Sequence, residues 1–290
     1  METSLENKTY LVSGATSGIG LELARQLTRR GAAVIGIGRS AERCARAARD
    51  LGPQAAYLCA DLGLQSELRR LAGETRALLA GRGQRHLDGL INNAGTFTYW
   101  LALTPEGFET QWAVNHLAAY ALTRLLLPEL LAAPDPRVIT VSSDSHRGAR
   151  IHWDDPQMLR GYGGLRAYGR TKLANILFTH ELNRRCAGRL RAFAADPGLV
   201  QTDIGLKGTP ALVQWVWKQR RAAGVPAAQS AAGILRLLDA SLPADPSPYW
   251  KEGQAKRPDP RALNAADAAR LWALSARMTS LSESLEGAIA

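Results

Sequence analysis

Between Thr9 and Leu27 the chain changes period within a few residues. Thr9 to Ser13 is an apolar run of strand length, Gly14-Ala-Thr-Ser-Gly18-Ile-Gly20 follows, and Leu21, Leu23, Ala24 and Leu27 then fall at helical spacing. Strand, glycine turn and helix in that order leave few folds open. Glycine serves where a backbone turns sharply, where it must approach a pyrophosphate, and where helix and strand pack closely. The helix start then offers free N–H groups to an anion. In that reading Gly14, Thr16, Ser17, Gly18, Ile19 and Gly20 would line the phosphates of a dinucleotide. The glycine spacing differs from the commoner G-x-G-x-x-G, and an ordinary strand-to-helix turn would also use these residues.

The alternation recurs. A second strand, Ala32 to Gly38, brings Arg39 to the place, about 20 residues beyond the turn, where such a fold reads the adenosine ribose. A carboxylate there would bond a free 2′-hydroxyl and repel a 2′-phosphate, whereas a guanidinium attracts the phosphate, so NADP(H) is expected over NAD(H). Ala56 to Cys59 makes a third strand, ended by Asp61 and Leu62, and Gly89 to Ile91 a fourth, ended by Asn92, Asn93, Ala94 and Gly95. Arg137 to Ser143 is a fifth, with two hydroxyls at its end, and Arg191 to Ala195 a sixth, followed by Asp196, Pro197 and Gly198. Strands and helices alternating at this spacing predict an α/β fold with a doubly wound parallel sheet. Ligands of such sheets bind at the C-terminal strand ends, which makes Asp61, Leu62, Asn93, Ala94 and Gly95 cofactor candidates.

A chain of 290 residues, 46% apolar, supports a packed core, and with no repeat or low-complexity linker a single domain is expected. Its cofactor half would cover about 1–135, a catalytic half about 136–203, and a substrate lid with C-terminal elements about 204–290; the proline-rich stretch from Pro243 to Pro260 reads as a loop before a last helix from Leu263 to Leu281. Cys44, Cys59 and Cys186 have neither disulfide nor metal spacing, so free thiols, no metal and a reducing, cytoplasmic setting are expected. No apolar run is long enough to span a bilayer. The net charge of +10 is spread along polar helix faces without interleaved aromatics, which suits an anionic cofactor rather than nucleic acid.

Tyr168 and Lys172 stand four residues apart, ahead of an apolar stripe through Leu173, Ile176, Leu177 and Leu182, so they share a helix face. A lysine charge within about 4 to 6 Å favours the phenolate and would draw the phenol from about 10 toward working pH. Tyr168 could then give or take a proton. The pair alone also fits a half-buried tyrosine beside a solvated lysine. Asn115, an amide inside the helical stretch from Phe108 to Leu127, is unfavourable there without a task.

Taken together, Gly14-x-x-x-Gly18-x-Gly20, Asn92-Asn93-Ala94-Gly95, Asn115, Ser143, Tyr168-x-x-x-Lys172 and Pro197-Gly198 resemble, in order and approximate spacing, the short-chain dehydrogenase/reductase family over nearly the whole chain. Arg150 to Asp155, Lys172 to Phe178 and the ending around Ala269 to Ser275 look like its retinol-dehydrogenase-like branch, although the chain shows no membrane-anchoring leader and Ser13 replaces the usual threonine. The resemblance implies that Tyr168 is general acid in reduction and base in oxidation, that Lys172 lowers its pKa and holds the nicotinamide ribose, and that Ser143 bonds the substrate oxygen. It also implies that Asn115 holds a water in a proton relay, and that Pro197, Gly198, Val200 and Thr202 contact the nicotinamide end. The segment from Ile204 to Val225, with Leu206, Leu212, Trp215 and Val216, takes the place of the family's variable lid; its apolar residues suit a lipophilic substrate, an oligomer contact or a membrane surface. His146 is read as structural or substrate-lining. The expected protein is a homodimer or homotetramer, built through the helices carrying Asn115 and Tyr168, that interconverts a lipophilic alcohol with its ketone or aldehyde. A reductase of conjugated double bonds, a non-redox enzyme using the same pocket and a non-catalytic dinucleotide sensor remain alternatives.

Overall fold

The computed structural model describes residues 4–200, 224–238, 242 and 248–285. Its frame is an eight-stranded sheet of β1 (Thr9–Ser13), β2 (Ala33–Gly38), β3 (Ala55–Cys59), β4 (Gly89–Asn92), β5 (Arg137–Val141), β6 (Arg191–Asp196), β7 (Tyr249–Lys251) and β8 (Gln254–Ala255), in the order β3-β2-β1-β4-β5-β6-β7-β8. Every pairing is parallel except that of β7 with β8. The chain thus winds outward one way from β1 and the other way from β4, and the crevice expected at such a reversal lies between those two strand ends.

Both faces of the sheet are covered, which is why the strands read as continuous apolar runs. Alternate residues feed two layers: Leu11, Leu90 and Val138 belong to one buried cluster, and their neighbours Val12, Ile91 and Ile139 to another. Helix α1 (Gly18–Arg29) puts Leu23, Ala24 and Leu27 into the second layer, beside Ala231, Ile234 and Leu235 of α8 (Ala227–Leu235). Opposite, α3 (Gln65–Gly81) contributes Leu68, Leu71 and Leu79, and α5 (Ala118–Leu125) contributes Tyr120 and Leu122. Helix α2 (Ala41–Leu51) connects β2 to β3, α4 (Thr110–Trp112) leads through a π-helical turn (Ala113–Leu117) into α5, and α6 (Leu127–Leu131) follows. The long α7 (Gly164–Cys186) precedes β6, and α9 (Ala265–Thr279) is the last helix.

Two features depart from the sequence reading. Strand β5 stops at Val141, so Ser142 and Ser143 lie past its end. The proline-rich stretch read as a loop contains β7 and β8; three residues are too few to show alternation, and β7 becomes a strand because β6 offers it an edge. Helix α9 packs on the helices carrying Asn115 and Tyr168. Trp272, 1% exposed, stacks on Phe178 at 6.1 Å, meets Tyr120 edge-on at 5.1 Å, and lies under the Arg124 and Arg185 guanidinium groups at 4.9 and 4.7 Å. Ala268 and Leu271 join Leu117, Leu173 and Leu177 in one cluster, so α9 takes up part of that surface within the chain itself. No helix of the described residues is long and apolar enough to cross a membrane.

Removing the indole in Trp272→Ala should cost about 3–5 kcal/mol, read from the denaturant midpoint. A loss below about 1 kcal/mol would mean that α9 is peripheral to the fold.

Candidate active site

At the C-terminal end of β1 the chain turns at Gly14, φ +68°, a left-handed conformation that costs glycine little. A Cβ on Gly20 would sit 2.2 Å from the Gly14 carbonyl oxygen, so only glycine lets α1 approach the turn this closely. The first turn of α1 carries no acid, and Ser17 before it makes no side-chain capping bond. The helix start therefore keeps free N–H groups and a favourable dipole for an anion, with Thr16, Ser17 and Gly18 around it and a partly buried Ile19 packed against the core. Ser13, which the sequence offered only as a hydroxyl replacing a hydroxyl, joins the two sides of the crevice. Its Oγ accepts the N–H groups of Asn93 and Ala94, both at 3.0 Å, and Asn93 Nδ2 donates back to the Ser13 carbonyl at 2.9 Å. Gly95 follows in the same turn.

Arg39 lies exposed just past β2, and its side chain takes no hydrogen-bond or ion-pair partner among the described residues. Ser40 next to it caps α2. Of the pair after β3, Asp61 bends its own turn by accepting the Gly63 N–H at 2.9 Å, and the Leu62 side chain belongs to the core, which leaves only its backbone for a ligand. These residues fit a dinucleotide: a cradle closed to side chains, an uncapped helix start and a free guanidinium at the ribose end.

The second half of the crevice is built on β5 and α7. Ser142 is buried and spends its hydroxyl on the Lys172 carbonyl at 2.8 Å, whereas Ser143 is half-buried, its Oγ accepting the Ser145 N–H at 3.2 Å to start the 3-10 turn (Asp144–His146) and donating at 3.3 Å to the exposed Ser145 hydroxyl, a partner that can turn away. Ser143 is thus the serine whose hydroxyl can meet a ligand. Lys172, 2% exposed, donates from Nζ to the Val141 carbonyl at 3.0 Å, and Nζ lies 5.2 Å from the centre of the Tyr168 ring. The Phe97 ring meets Tyr168 edge-on at 6.1 Å.

Burial pushes the Tyr168 phenol well above its ordinary value, and the nearby Asp196 charge adds to the rise. It also pushes the Lys172 ammonium down to about 8, against the opposite pull of Asp196. The sequence reading expected the lysine to lower the phenol; in the folded chain desolvation sets the direction for both groups, raising the phenol and lowering the ammonium. Asn115 occupies the π-helical turn, where it accepts the Thr96 N–H at Oδ1 at 2.7 Å and donates from Nδ2 to the Thr96 carbonyl at 2.9 Å and to Thr171 Oγ1 at 3.2 Å. Its task here is to tie the turn after β4 to α7, and a helix with a π turn can carry such an amide.

Pro197 and Gly198 turn the chain after β6, held by Ser230 Oγ on the Pro197 carbonyl at 3.0 Å, and Val200 bridges to Val225. Thr202, Leu206, Leu212, Trp215 and Val216 lie outside the described residues. His146 is structural: it accepts the Asp259 N–H at Nε2 at 3.0 Å, so Nδ1 carries the proton donated to the Ser143 carbonyl at 2.7 Å, and burial lowers its pKa. What the sequence missed is a polar group under the site. The Tyr249 phenol, fully buried on β7, lies 2.9 Å from Asp196 Oδ2 and 3.3 Å from Asp144 Oδ1, and Lys251 pairs with Asp144. No pattern pointed to it, because its partners meet only through sheet pairing. A cavity of about 270 Å³ on the opposite side of α7, lined in part by Arg150, Trp153 and Leu177, includes none of these residues.

The family model for short chain dehydrogenases matches residues 8–210. Retinol dehydrogenase 13 from Homo sapiens is 34% identical, with 97% of this chain and 87% of that protein covered, and retinol dehydrogenase 12 from Mus musculus is 32% identical, with 94% and 87% covered. Among solved structures, an uncharacterized protein from Mycobacterium Paratuberculosis matches with a TM-score of 0.74 and 36% identity over 97% of this chain and 96% of that one. A short chain dehydrogenase from Salmonella enterica shares the fold at a TM-score of 0.68 and 24% identity, over 86% of this chain and 96% of that one. With the glycine turn, the strand-end serine and the Tyr168–Lys172 helix at one sheet edge, the chain belongs to the short-chain dehydrogenase/reductase family, in its retinol-dehydrogenase-like branch, and to a class of oxidoreductases that use a nicotinamide dinucleotide.

Proposed function

We propose that this protein is a cytoplasmic, NADP(H)-dependent oxidoreductase that interconverts a lipophilic alcohol and its ketone or aldehyde, working mainly as a reductase. The observation that supports the reading is that Lys172 Nζ, held by the carbonyl at the end of β5, lies 5.2 Å from the centre of the Tyr168 ring, with Ser143 two residues past that carbonyl and Asn115 bonded to Thr171, which stands between Tyr168 and Lys172 on α7. Gly14 to Gly20 hold the pyrophosphate, Arg39 pairs with the 2′-phosphate, and Asn93 to Gly95 with Pro197, Gly198 and Val200 frame the rest of the cofactor. When bound, the nicotinamide delivers hydride to the carbonyl carbon. Ser143 donates a hydrogen bond to the carbonyl oxygen, which stabilises the charge that grows there. Tyr168 gives that oxygen its proton. The raised phenol pKa suits this direction: a buried neutral phenol is the donating form, while oxidation would need a phenolate that burial opposes. Lys172 binds the ribose and holds positive charge close to the phenolate left behind. Asn115 keeps the Thr96 turn and α7 in register.

A lipophilic substrate is supported by the rim of the site. Leu165, 62% exposed, sits on α7 just ahead of Tyr168, and Trp100 and Leu101, 67% and 41% exposed, follow Phe97 on the loop after β4. Exposed apolar side chains gathered at a mouth suit an apolar ligand. The name retinol dehydrogenase carried by the relatives points the same way.

Purified protein should consume NADPH with at least one carbonyl in a panel of aliphatic, aromatic, steroidal and retinoid compounds, and Tyr168→Phe should lower that turnover about 10²- to 10⁴-fold. Cofactor that binds while no carbonyl is reduced would favour the conjugated-alkene, non-redox or sensor alternatives. Arg39→Asp should weaken NADPH about 10- to 100-fold with little change for NADH, by fluorescence titration; an unchanged preference would sink the NADP(H) assignment. Ser143→Ala should cost about 10²- to 10³-fold in kcat with only the small stability loss of its cap on the 3-10 turn, whereas Ser142→Ala should cost stability with little change in kcat, and the reverse pattern would exchange their roles.

A further inference from the structure

We propose that Asp196 is the buried counter-charge of Lys172, a positioning residue held in place by Tyr249 that keeps the lysine an ammonium beside Tyr168. Lys172 is 2% exposed, and no carboxylate forms an ion pair with it among the described residues; its Nζ has the Val141 carbonyl at 3.0 Å. A neutral acceptor satisfies one N–H but does not balance a charge removed from water. The sheet supplies the balance. Val141 lies opposite Ala195 in the β5–β6 register, and Ser142 donates its N–H to the Ala195 carbonyl at 2.7 Å, so the carbonyl that holds Lys172 is level with the residue just before Asp196.

Asp196, 3% exposed, is met by donors: Gly198 N–H at 2.8 Å on Oδ1 and the Tyr249 hydroxyl at 2.9 Å on Oδ2. Those are partners for a carboxylate rather than an acid. The titratable groups within its field are Tyr168 and Lys172 on α7, His146 after β5, and Tyr249 and Lys251 on β7. Of these, His146 is neutral and Lys251 is engaged by Asp144, which also shares the Tyr249 phenol; Glu252 meets Asp196 only by donating its backbone N–H to the Asp196 carbonyl at 2.9 Å. Lys172 is the cation left for Asp196. The same charge favours the protonated phenol of Tyr168, so Asp196 holds both groups in the form that donates a proton to substrate. That consequence rests on the proposed carbonyl reduction; the charge pairing does not.

The chain has six lysines, so ¹³C-lysine NMR of the ligand-free protein resolves Lys172, assigned by the signal lost in Lys172→Gln. Asp196→Asn removes the charge while its one oxygen still accepts the Gly198 N–H and its NH2 faces the Tyr249 oxygen as a donor, and it should lower the Lys172 midpoint by about one pH unit. Tyr249→Phe removes the contact but keeps the charge, and should leave the midpoint within about 0.3 unit. An unmoved midpoint in Asp196→Asn, or an equal fall in both variants, would overturn the proposal in favour of a purely structural contact. If Asp196→Asn does not fold, Asp196→Ser is read by the same criteria. In turnover, the alkaline limb of the reductive kcat/KM profile, where the acid forms are lost as pH rises, should move acidward with the midpoint. A wild type that reduces no carbonyl would refute the proposed reaction, while the NMR midpoints still decide the role of Asp196.

Discussion

Parallel strands all end on the same edge, and everything chemical in this protein depends on that constraint. A parallel sheet needs a crossover between every pair of strands, so each strand hands its C-terminal residue to one rim while the helices seal both faces. Because β1 pairs with both β2 and β4, the helices that leave these two strands diverge and open a crevice between their ends. Ser13 and Asn93 then pin the two lips together by three hydrogen bonds. Gly14, Arg39, Asp61, Asn93, Ser143 and Pro197 are far apart in sequence and share this rim because six strands deliver them there.

Within the rim the governing effect is desolvation. Tyr168 and Lys172 stand one helical turn apart, the separation at which an ammonium would draw a phenol toward ionisation in water. Buried together, both are driven toward their neutral forms, and the fixed negative charge of Asp196 raises each of them. The geometry around the pair is stiff: Ser142 and Asn175 fasten α7 to the end of β5, and Asn115 fastens it to the turn after β4.

The outer layer shows how the C-terminal elements complete the domain. The β7–β8 hairpin extends the sheet beyond β6 and carries Tyr249 and Lys251, whose partners Asp196 and Asp144 stand at the end of β6 and just past β5. Helix α9 covers α5 and α7 with Trp272, a surface that the chain uses for its own packing.

The alternation of apolar runs with helical stripes, the glycine turn and the Tyr168–Lys172 pair were legible in the sequence because they are local: strand and helix periods, φ-positive turns and i to i+4 neighbours depend on adjacent residues. They determined the α/β class and six strands along the chain, with the end of β5 read two residues too far. Ser143 was already chosen over Ser142 from the sequence, and the structure adds the physical difference between them: β5 stops at Val141 and Ser142 spends its hydroxyl on α7. Strand β7, the fastening role of Asn115, the structural role of His146 and the Asp196–Tyr249 contact were not legible. Each depends on a partner between 19 and 113 residues away that a parallel sheet or a helix packing brings alongside. The net direction of the Tyr168 and Lys172 shifts belongs to the same class. Sequence spacing states which charges are neighbours, but only the tertiary structure decides how much water is left between them, and burial sets the sign.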